Sequence, residues 1–403
     1  MTDDGLMRGK HWLEPCMPSA GKETPAMLLG AEQMIQESAR LSALADAHTL
    51  SKIGELLRIT NSYYTNLIEG QHTEPAEIAQ GLKMREPKEL RQLALTHLHV
   101  QSDLEQRIPS MTGADKREWG ALFGADFVSD IHRRLFDGAE QQELTLSDGF
   151  VMVPGELRSV QGKEVVVGTH HAPAADSVES MLARLEEAYG AFPDTVRRII
   201  AVMANHHRLA FIHPFPDGNG RVVRLATHLQ LHGLNLSSPL WSLARGLARR
   251  QQDYYRLLAA ADQPRRGALD GGGQLSHAAL CDFIEFMIEV CLDQMRYIAE
   301  ALDTRKLTEA IKRAISYAPE LRNASIKKEC AEALQVLFSQ GTMERSVFKR
   351  FTGLGDRTAT DQLSRLVECG VVEAPTPKSR TVQAGLPLWY AIELFPNLHH
   401  RLK

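Results

Sequence analysis

A chain of 403 residues with 43% hydrophobic and 24% charged side chains is long enough for two or three domains with separate cores. Its net charge of -4 excludes a protein that coats nucleic acid or anionic membranes with its whole surface, although a local basic patch is compatible with it. The five cysteines form no CxxC pair, which excludes a disulfide framework and a zinc knuckle and is typical of a cytoplasmic protein. No run approaches about 20 apolar residues, so no membrane span is predicted.

The first part of the chain is predicted to be helical. Apolar residues recur at a spacing near 3.6 over most of the sequence, which favours a mainly α fold. Amphipathic helices are predicted within residues 28–105, and a further helix is predicted over residues 119–136. We assign residues 1–115 to an N-terminal helical region and residues 116–265 to a core domain.

The periodicity changes within residues 157–169. β-Branched residues lie on both sides of Gln161-Gly162-Lys163, which predicts a β-hairpin with its turn at these three residues. Helical periodicity returns from Val178 to Ala261, and a Gly- and Pro-rich loop follows at 263–276. Two helices, at 277–302 and 304–316, are predicted within a helical connection that spans residues 266–320.

The last part of the chain, residues 321–403, is predicted to be a small separate domain. It contains a helix, a Gly-containing turn, a second helix at 357–368 and two short strands, of which the second is predicted within residues 380–392. This order is typical of a winged helix-turn-helix that binds DNA, although a packing or protein-binding module has the same signature. Interspersed acidic residues weigh against DNA. The candidate phosphate contacts are Lys349, Arg350, Arg357, Arg365, Lys378 and Arg380.

The stretch HPFPDGNGR, residues 213–221, connects two predicted helices and contains few packing side chains. Gly218 and Gly220 permit positive φ and allow backbone N–H groups to converge. The helix that follows offers its free N–H groups and the positive end of its dipole to the same place. Arg221 and Arg224 are three residues apart and project from one face of that helix. The stretch therefore predicts a site for more than one phosphate.

Two further residues of this stretch indicate chemistry. Asp217 is an acid among cations, which is expected if it binds Mg²⁺ together with substrate phosphates. His213 has a side chain that can accept a proton from an incoming hydroxyl near neutral pH. The combination predicts phosphoryl or nucleotidyl transfer. The upstream pair His206-His207 fits no zinc-binding spacing.

The residues from His213 to Arg224 resemble the complete signature of the Fic family, HxFx(D/E)GNGRxxR, at every defined position. The resemblance implies an all-helical core in which the hairpin is a flap beside the active site. It also implies transfer of AMP from ATP to a Ser, Thr or Tyr hydroxyl of a protein, with Mg²⁺ as cofactor and pyrophosphate as product. Doc-type relatives, which are kinases, have lysine where Gly220 stands, so Gly220 favours AMP transfer over phosphate transfer.

The same resemblance assigns roles to individual residues. It makes His213 the catalytic base and Asp217 the metal ligand, while Phe215 anchors the loop in the core. Arg221 and Arg224 bind the outer phosphates of ATP. The full nucleotide-binding set that it implies is Gly218, Asn219, Gly220, Arg221 and Arg224.

A second resemblance lies upstream, where Thr65-Asn-Leu-Ile-Glu69-Gly70 is similar to the inhibitory (S/T)xxxE(G/N) helix of self-inhibited Fic proteins. It implies that the Glu69 carboxylate occupies the Arg224 guanidinium in place of the γ-phosphate of ATP. Thr65, Glu69 and Gly70 are therefore the candidate inhibitory residues. The N-terminal region and the terminal helix-turn-helix resemble bacterial members of the family with a winged-helix tail.

The predicted flap is the candidate docking surface for the protein target, since its exposed edge can pair with an extended segment. It comprises Ser159, Val160, Gln161, Gly162, Lys163, Glu164 and Val165. The target is not specified by the sequence. Two alternative functions stay open: a DNA-binding regulator whose core senses nucleotide or modifies itself, and an enzyme that removes AMP with the help of Glu69. Assembly into a homodimer stays open as well.

Overall fold

A computed structural model describes residues 7–18, 21–71, 73–81, 89–158, 165–167, 170–376 and 379–399. Helices account for most of this part of the chain, as the sequence predicts, and none of them is long and apolar enough to cross a bilayer. In chain order the α-helices are α1 (Pro25–Ser42), α2 (Ala47–Ile68), α3 (Pro75–Gly81), α4 (Glu89–Arg107), α5 (Lys116–Gly120), α6 (Ala125–Leu135), α7 (Gln141–Leu144), α8 (Val178–Gly190), α9 (Thr195–Ile212), α10 (Asn219–Gly233), α11 (Leu243–Arg249), α12 (Gln251–Ala261), α13 (His277–Ala301), α14 (Thr304–Tyr317), α15 (Pro319–Asn323), α16 (Cys330–Gln340), α17 (Arg345–Phe351), α18 (Asp356–Glu368) and α19 (Leu388–Leu394). The strands are β1 (Val166–Val167), β2 (His170–His171), β3 (Thr342–Glu344), β4 (Val372–Glu373) and β5 (Thr381–Ala384).

The chain divides into two compact units, each discontinuous in sequence. The first unit contains Met1–Gln36, Asn61–Ser238 and Leu243–Leu292, and the second contains Glu37–Thr60, Pro239–Ser242 and Asp293–Lys403. The boundaries between them fall within α1, α2 and α13 and at both ends of residues 239–242. The four-part division predicted from the sequence follows the chain order and stays a prediction.

The core of the first unit is built around α9 and α10, which pack against each other. Almost every residue of α9 from Arg198 onwards is buried, so this helix is enclosed on all sides rather than along one stripe. Asp194 caps its N-terminus by accepting a hydrogen bond from the Arg197 backbone N–H. Helices α8, α6 and α4 surround the central pair: α8 packs on α9, while α6 and α4 pack on α10.

A short β-hairpin pairing lies at the C-terminal end of the segment where the hairpin was predicted. Strand β1 pairs antiparallel with β2, with Val166 opposite His171 and Val167 opposite His170. The residues 161–163, where the turn was predicted, lie outside the described residues. The turn at these residues therefore stays a prediction.

The second unit contains a three-stranded antiparallel sheet with the order β3-β5-β4. Helices α17 and α18 follow each other across residues 352–355, in agreement with the predicted helix, turn and helix. The strand predicted within residues 380–392 covers only 381–384, because α19 begins directly after Pro387, whose fixed φ suits a helix N-terminus.

The winged-helix assignment and DNA binding by the second unit stay predictions. Two of the six candidate phosphate contacts are already paired with acids, since Lys349 Nζ lies 2.5 Å from Asp356 Oδ1 and Arg365 Nε lies 3.0 Å from Asp361 Oδ2. Lys378 lies outside the described residues. These pairs lower the positive charge that this surface offers to phosphates.

Candidate active site

The loop between α9 and α10 reverses the chain within a few residues. His213 ends α9 in the left-handed conformation, with φ 52° and ψ 63°. Gly218 begins α10 with φ 76°, and a Cβ at this position would collide with the Phe136 ring. Glycine is required here for both its backbone angle and its small volume. The loop therefore places the free N–H groups of α10 next to His213.

A buried histidine, His132, packs against this loop. Its ring stacks on Phe215 with 4.0 Å between ring centroids, so Phe215 is indeed anchored in the core. Its Nδ1 accepts from the Gly155 N–H at 2.8 Å, which leaves Nε2 protonated to donate to the Asp217 carbonyl at 3.2 Å. Burial lowers the pKa of His132 to about 4, so the ring is neutral near pH 7. No local sequence motif indicated this residue.

Asn219 closes the loop with its side chain. Its Oδ1 accepts from the Phe215 N–H at 2.9 Å, and its Nδ2 donates to the Phe215 carbonyl at 2.7 Å. The side chain is almost fully buried. These two bonds fix the Asn219 side chain within the loop, and the phosphate-binding role implied for this residue stays a prediction.

Arg158 joins the loop to the residues around the hairpin. Its Nε donates to the His213 carbonyl at 2.8 Å, and its Nη2 donates to Ile212 at 3.0 Å and to Pro173 at 2.5 Å. The side chain is buried. Three carbonyls held by one guanidinium fix the backbone on both sides of His213. The sequence alone did not single out this arginine.

His213 lies in a pocket as a neutral imidazole. Burial lowers its pKa to about 4, and the positive charges of His170 and Arg158 act in the same direction. A hydrogen bond to the Ala210 backbone occupies the ring on one side. Above about pH 5 the ring is therefore in the form that can accept a proton.

The candidate inhibitory residues meet Arg224 in the first unit. Arg224 Nε donates to Thr65 Oγ1 at 2.7 Å, and Nη2 donates to the Thr65 carbonyl at 3.1 Å and to Glu69 Oε1 at 2.5 Å. The Arg224 side chain is 4% exposed and the Glu69 side chain 36%. Burial opposes ionisation of both groups, but their attraction outweighs it, so the pKa of Glu69 is lowered and that of Arg224 is raised.

Gly220 makes room for this contact. A Cβ on Gly220 would collide with the Glu69 carboxylate and would lie 3.1 Å from Arg224 Nη1. A side chain at position 220 is therefore incompatible with the observed position of the Glu69 carboxylate. The resemblance had assigned Gly220 to the nucleotide, and the structure adds Glu69 as a second group that depends on it. Gly70, with φ 77°, follows directly after the contact.

Asp217 is exposed at the loop, whereas the Arg221 side chain beside it is buried. Arg221 Nη2 is 3.6 Å from Asp217 Oδ2, and the Arg221 guanidinium lies 4.6 Å from the centroid of the Phe136 ring. The Asp217 side chain is 54% exposed, so its carboxylate is accessible. Among the described residues no cluster of three acids, histidines or cysteines could form a protein-only metal cage. A single accessible carboxylate fits Mg²⁺ that completes its shell with phosphate oxygens and water.

Glu69, His213, Gly220 and Arg224 line one cavity of about 430 Å³, which we call the central pocket. This volume is within the range of small-ligand sites. Tyr254 and Tyr255 also line it, and Tyr254 Oη lies 2.8 Å from His206 Nε2. Of the predicted flap, Ser159 to Glu164 lie outside the described residues, whereas the Val165 carbonyl accepts from the Ala172 N–H at 3.0 Å. The lining residues are Glu69, His170, Ala210, Phe211, His213, Asn219, Gly220, Val223, Arg224, Tyr254, Tyr255, Leu258, Ala259 and Asp262.

Residues 123–231, which contain this loop and both helices beside it, match the Fic/DOC family. The chain carries a Fic/DOC family domain. A protein adenylyltransferase Fic from Nematostella vectensis is 28% identical over 173 residues, which are 40% of this chain and 35% of that protein. The match thus spans only about a third of the relative.

A solved structure provides a comparison over more of the chain. The crystal structure of a Fic family protein from Desulfovibrio desulfuricans G20 has a TM-score of 0.52 and 19% identity. The comparison covers 90% of this chain and 97% of that one. At this identity the likeness concerns the fold alone, and it supports a Fic-type helical fold.

Proposed function

We propose that this protein is a protein adenylyltransferase that moves AMP from ATP to a hydroxyl of a protein side chain, and that Glu69 inhibits it. The proposal is carried by one observation: the Glu69 carboxylate is bound to Arg224 inside a pocket that also contains His213 and the N-terminus of α10. A carboxylate held at 2.5 Å from a buried guanidinium marks the place where an anionic group of a substrate would bind. The activity named for the Nematostella vectensis relative agrees with it.

The transfer itself needs a proton acceptor for the attacking hydroxyl. In this reaction the bond between the α-phosphorus and the β-phosphate breaks, a bond to the acceptor oxygen forms, and pyrophosphate leaves. The proton of the hydroxyl passes to the imidazole of His213, which is neutral because burial lowers its pKa to about 4. Arg158 holds the His213 carbonyl and so fixes the direction from which the imidazole approaches.

The phosphates of ATP are proposed to lie against the start of α10. Gly218 and Gly220 place no side chain beside the backbone N–H groups of its first turn, and the positive end of the helix dipole favours negative charge there. Arg221 and Arg224 supply two guanidinium groups for the outer phosphates. Asp217 would hold Mg²⁺, which neutralises phosphate charge when it is bound.

Inhibition results from competition for one guanidinium. While Glu69 and Thr65 occupy Arg224, the γ-phosphate cannot bind it, and ATP is not oriented for attack at its α-phosphorus. The lowered pKa of Glu69 keeps the carboxylate ionised throughout the neutral range, so ordinary pH changes do not release it. Removal of Glu69 should therefore activate the enzyme.

The test compares the full chain with its Glu69→Gly variant, each incubated with protein extract and with ATP labelled at either the α- or the γ-phosphorus. We expect protein-bound label from the α position only, stronger in the variant, and a mass increase of AMP on modified peptides. Glu55→Gly is the matched control, because Glu55 is an exposed acid on the same helix, α2. Label from the γ position alone would identify a kinase instead, and no label from either position would refute a transferase.

A further inference from the structure

His170 lies in the central pocket beside the proposed base, and no motif drew attention to it. It belongs to β2, the second strand of the hairpin, and its ring centroid is 6.2 Å from that of His213. Its side chain is 15% exposed. Any part that His170 has in catalysis rests on the proposed function, whereas its effect on His213 is a property of the protein without substrate.

Both ring nitrogens of His170 point at acceptors. Nε2 is 3.0 Å from the Phe211 carbonyl oxygen, and Nδ1 is 3.0 Å from Asp262 Oδ2. A carbonyl oxygen only accepts hydrogen bonds, and an ionised carboxylate only accepts them as well. Both contacts can be hydrogen bonds at the same time only if both nitrogens carry a proton. The arrangement therefore selects the charged imidazolium form of His170.

The neighbouring contacts show that Asp262 is the ionised partner. His207 Nδ1 faces Arg208 Nη1 at 2.7 Å and must accept from it, so the proton of neutral His207 is on Nε2. That nitrogen is 3.2 Å from Asp262 Oδ1. Burial raises the pKa of Asp262, but hydrogen bonds from His170 and His207 outweigh this and hold it well below its usual range.

We propose that His170 is a positioning residue that, as an imidazolium held between the Phe211 carbonyl and Asp262, lowers the affinity of His213 for a proton. The Phe211 carbonyl belongs to the last turn of α9, directly before His213, so the same contact also ties β2 to the helix that presents the base. The role is electrostatic, because no hydrogen bond joins the two rings at this separation.

The charges that surround His213 agree with this role. His170 and Arg158 are the positive groups that disfavour a proton on it, and after burial the charge of His170 is the largest contribution that lowers the pKa of His213. Asp217 acts in the opposite direction, and the Glu69 carboxylate is a second negative group in the same field. Loss of the His170 charge should thus leave His213 easier to protonate.

The test is a titration of the ring ¹⁵N signals of histidine in the full chain, followed by NMR. In the unmodified protein at pH 7 we expect both nitrogens of His170 to be protonated and His213 to be neutral. In His170→Gln the pKa of His213 should rise by about one unit, the size expected for loss of one partly screened charge nearby. His171→Gln is the matched control, since His171 is the adjacent, exposed residue of the same strand and should leave the pKa of His213 unchanged.

The Asp262→Asn variant tests whether the Asp262 carboxylate keeps His170 in its imidazolium form. Without the carboxylate, His170 lacks the acceptor that holds the proton on its Nδ1, and the pKa of His213 should again rise. The double variant with His170→Gln should shift it no further than His170→Gln alone, because both changes remove the same charge. A neutral His170 in the unmodified protein, or a pKa of His213 that His170→Gln leaves unchanged, would overturn the proposal.

An activity arm separates this proposal from the proposed function. In the Glu69→Gly background, His170→Gln should move the acid limb of the pH–rate profile of AMP transfer upward by the same amount as the NMR shift. If the NMR shift appears but no AMP transfer is found with any variant, the proposed function fails and the role of His170 stands. If transfer is found and its acid limb does not move with His170→Gln, the role of His170 is wrong and the function stands.

Discussion

At the scale of single residues, Glu69 and the proposed γ-phosphate compete for the Arg224 guanidinium. Thr65 and Glu69 already use its Nε and Nη2, and the proposed γ-phosphate needs the same guanidinium. A buried arginine that loses its partner keeps the cost of its buried charge, so an empty guanidinium is a strong anion site. Release of Glu69 and capture of phosphate are therefore expected to be coupled.

We predict a strongly non-additive pair of substitutions at this contact. Glu69→Gly should raise self-modification by AMP, because it frees Arg224. Arg224→Ala should abolish it, and Glu69→Gly added to Arg224→Ala should restore little, because the residues act through one contact. Quantitative mass spectrometry of AMP on the chain itself gives all four values. A Glu69→Gly variant no more active than the starting protein would show that Glu69 is an ordinary acid at the end of a helix.

His213→Ala should lower AMP transfer by roughly 10²–10⁴-fold, the usual contribution of a general base. Nucleotide affinity should change little, since the phosphates are proposed to contact the start of α10 and the arginines instead. Both are best measured in the Glu69→Gly background, by rate and by calorimetric titration with ATP. A loss of affinity as large as the loss of rate would make His213 a binding residue and contradict its role as the base.

At the scale of elements, the position of the C-terminal turn of α2 depends on the absence of a side chain at Gly220 of α10. The end of α2 carries Thr65, Glu69 follows it, and the Glu69 carboxylate occupies the space where a Cβ of Gly220 would lie. Whether Glu69 can contact Arg224 therefore depends on Gly220, which is more than 150 positions away from Glu69 in sequence. No helix propensity predicts such a dependence.

Gly220→Ala should displace Glu69 and loosen the end of α2. We expect faster amide hydrogen exchange in residues 62–71, measured by mass spectrometry, with the interior of α9 unchanged. Glu69→Gly should produce the same acceleration, and the double variant should exchange no faster than either single variant. Unchanged exchange in Gly220→Ala would mean that the Glu69 carboxylate shifts without releasing the helix.

How much the sequence predicts differs between the helices and the site. The long helices repeat apolar residues at a period near 3.6 over many turns, so 277–302 and 304–316 were predicted within one residue of α13 and α14. The loop between α9 and α10 was recognisable for a different reason, since its residues are contiguous. The pairing of β1 with β2 was not predicted, because two-residue strands carry no periodic signal.

The supporting residues of the site could not be predicted because they are neighbours only in space. His132 and Arg158 are separated from Phe215 and His213 by more than fifty positions, and each acts on backbone carbonyls that carry no sequence signal. His170 and Asp262 become recognisable as a pair only when β2 and the end of α12 lie together. For Asn219 the motif was recognised from the sequence, but the hydrogen bonds of its side chain to Phe215 were not predicted.

At the scale of the whole molecule, the first unit buries several histidines that stay neutral. Burial lowers the pKa of His97 and His206 to about 3 and that of His132 and His213 to about 4, from an ordinary value of 6.5. His206 is held between Thr227 and Tyr254, at 2.8 Å from each. Each ring is a group that the unfolded chain protonates and the folded chain does not.

This difference predicts how stability depends on pH. Between about pH 6.5 and pH 4 the unfolded state binds more protons than the folded state, so the free energy of unfolding falls as the pH falls, by about 1.4 kcal/mol per pH unit for each such histidine. Urea unfolding followed by circular dichroism at pH 7.5, 6.0 and 5.0 measures it. His206→Gln should remove about one histidine's share of the slope between pH 6 and 5, whereas His171→Gln, an exposed histidine, should leave the slope unchanged. Equal slopes in the two variants would show that the buried rings take up protons without unfolding.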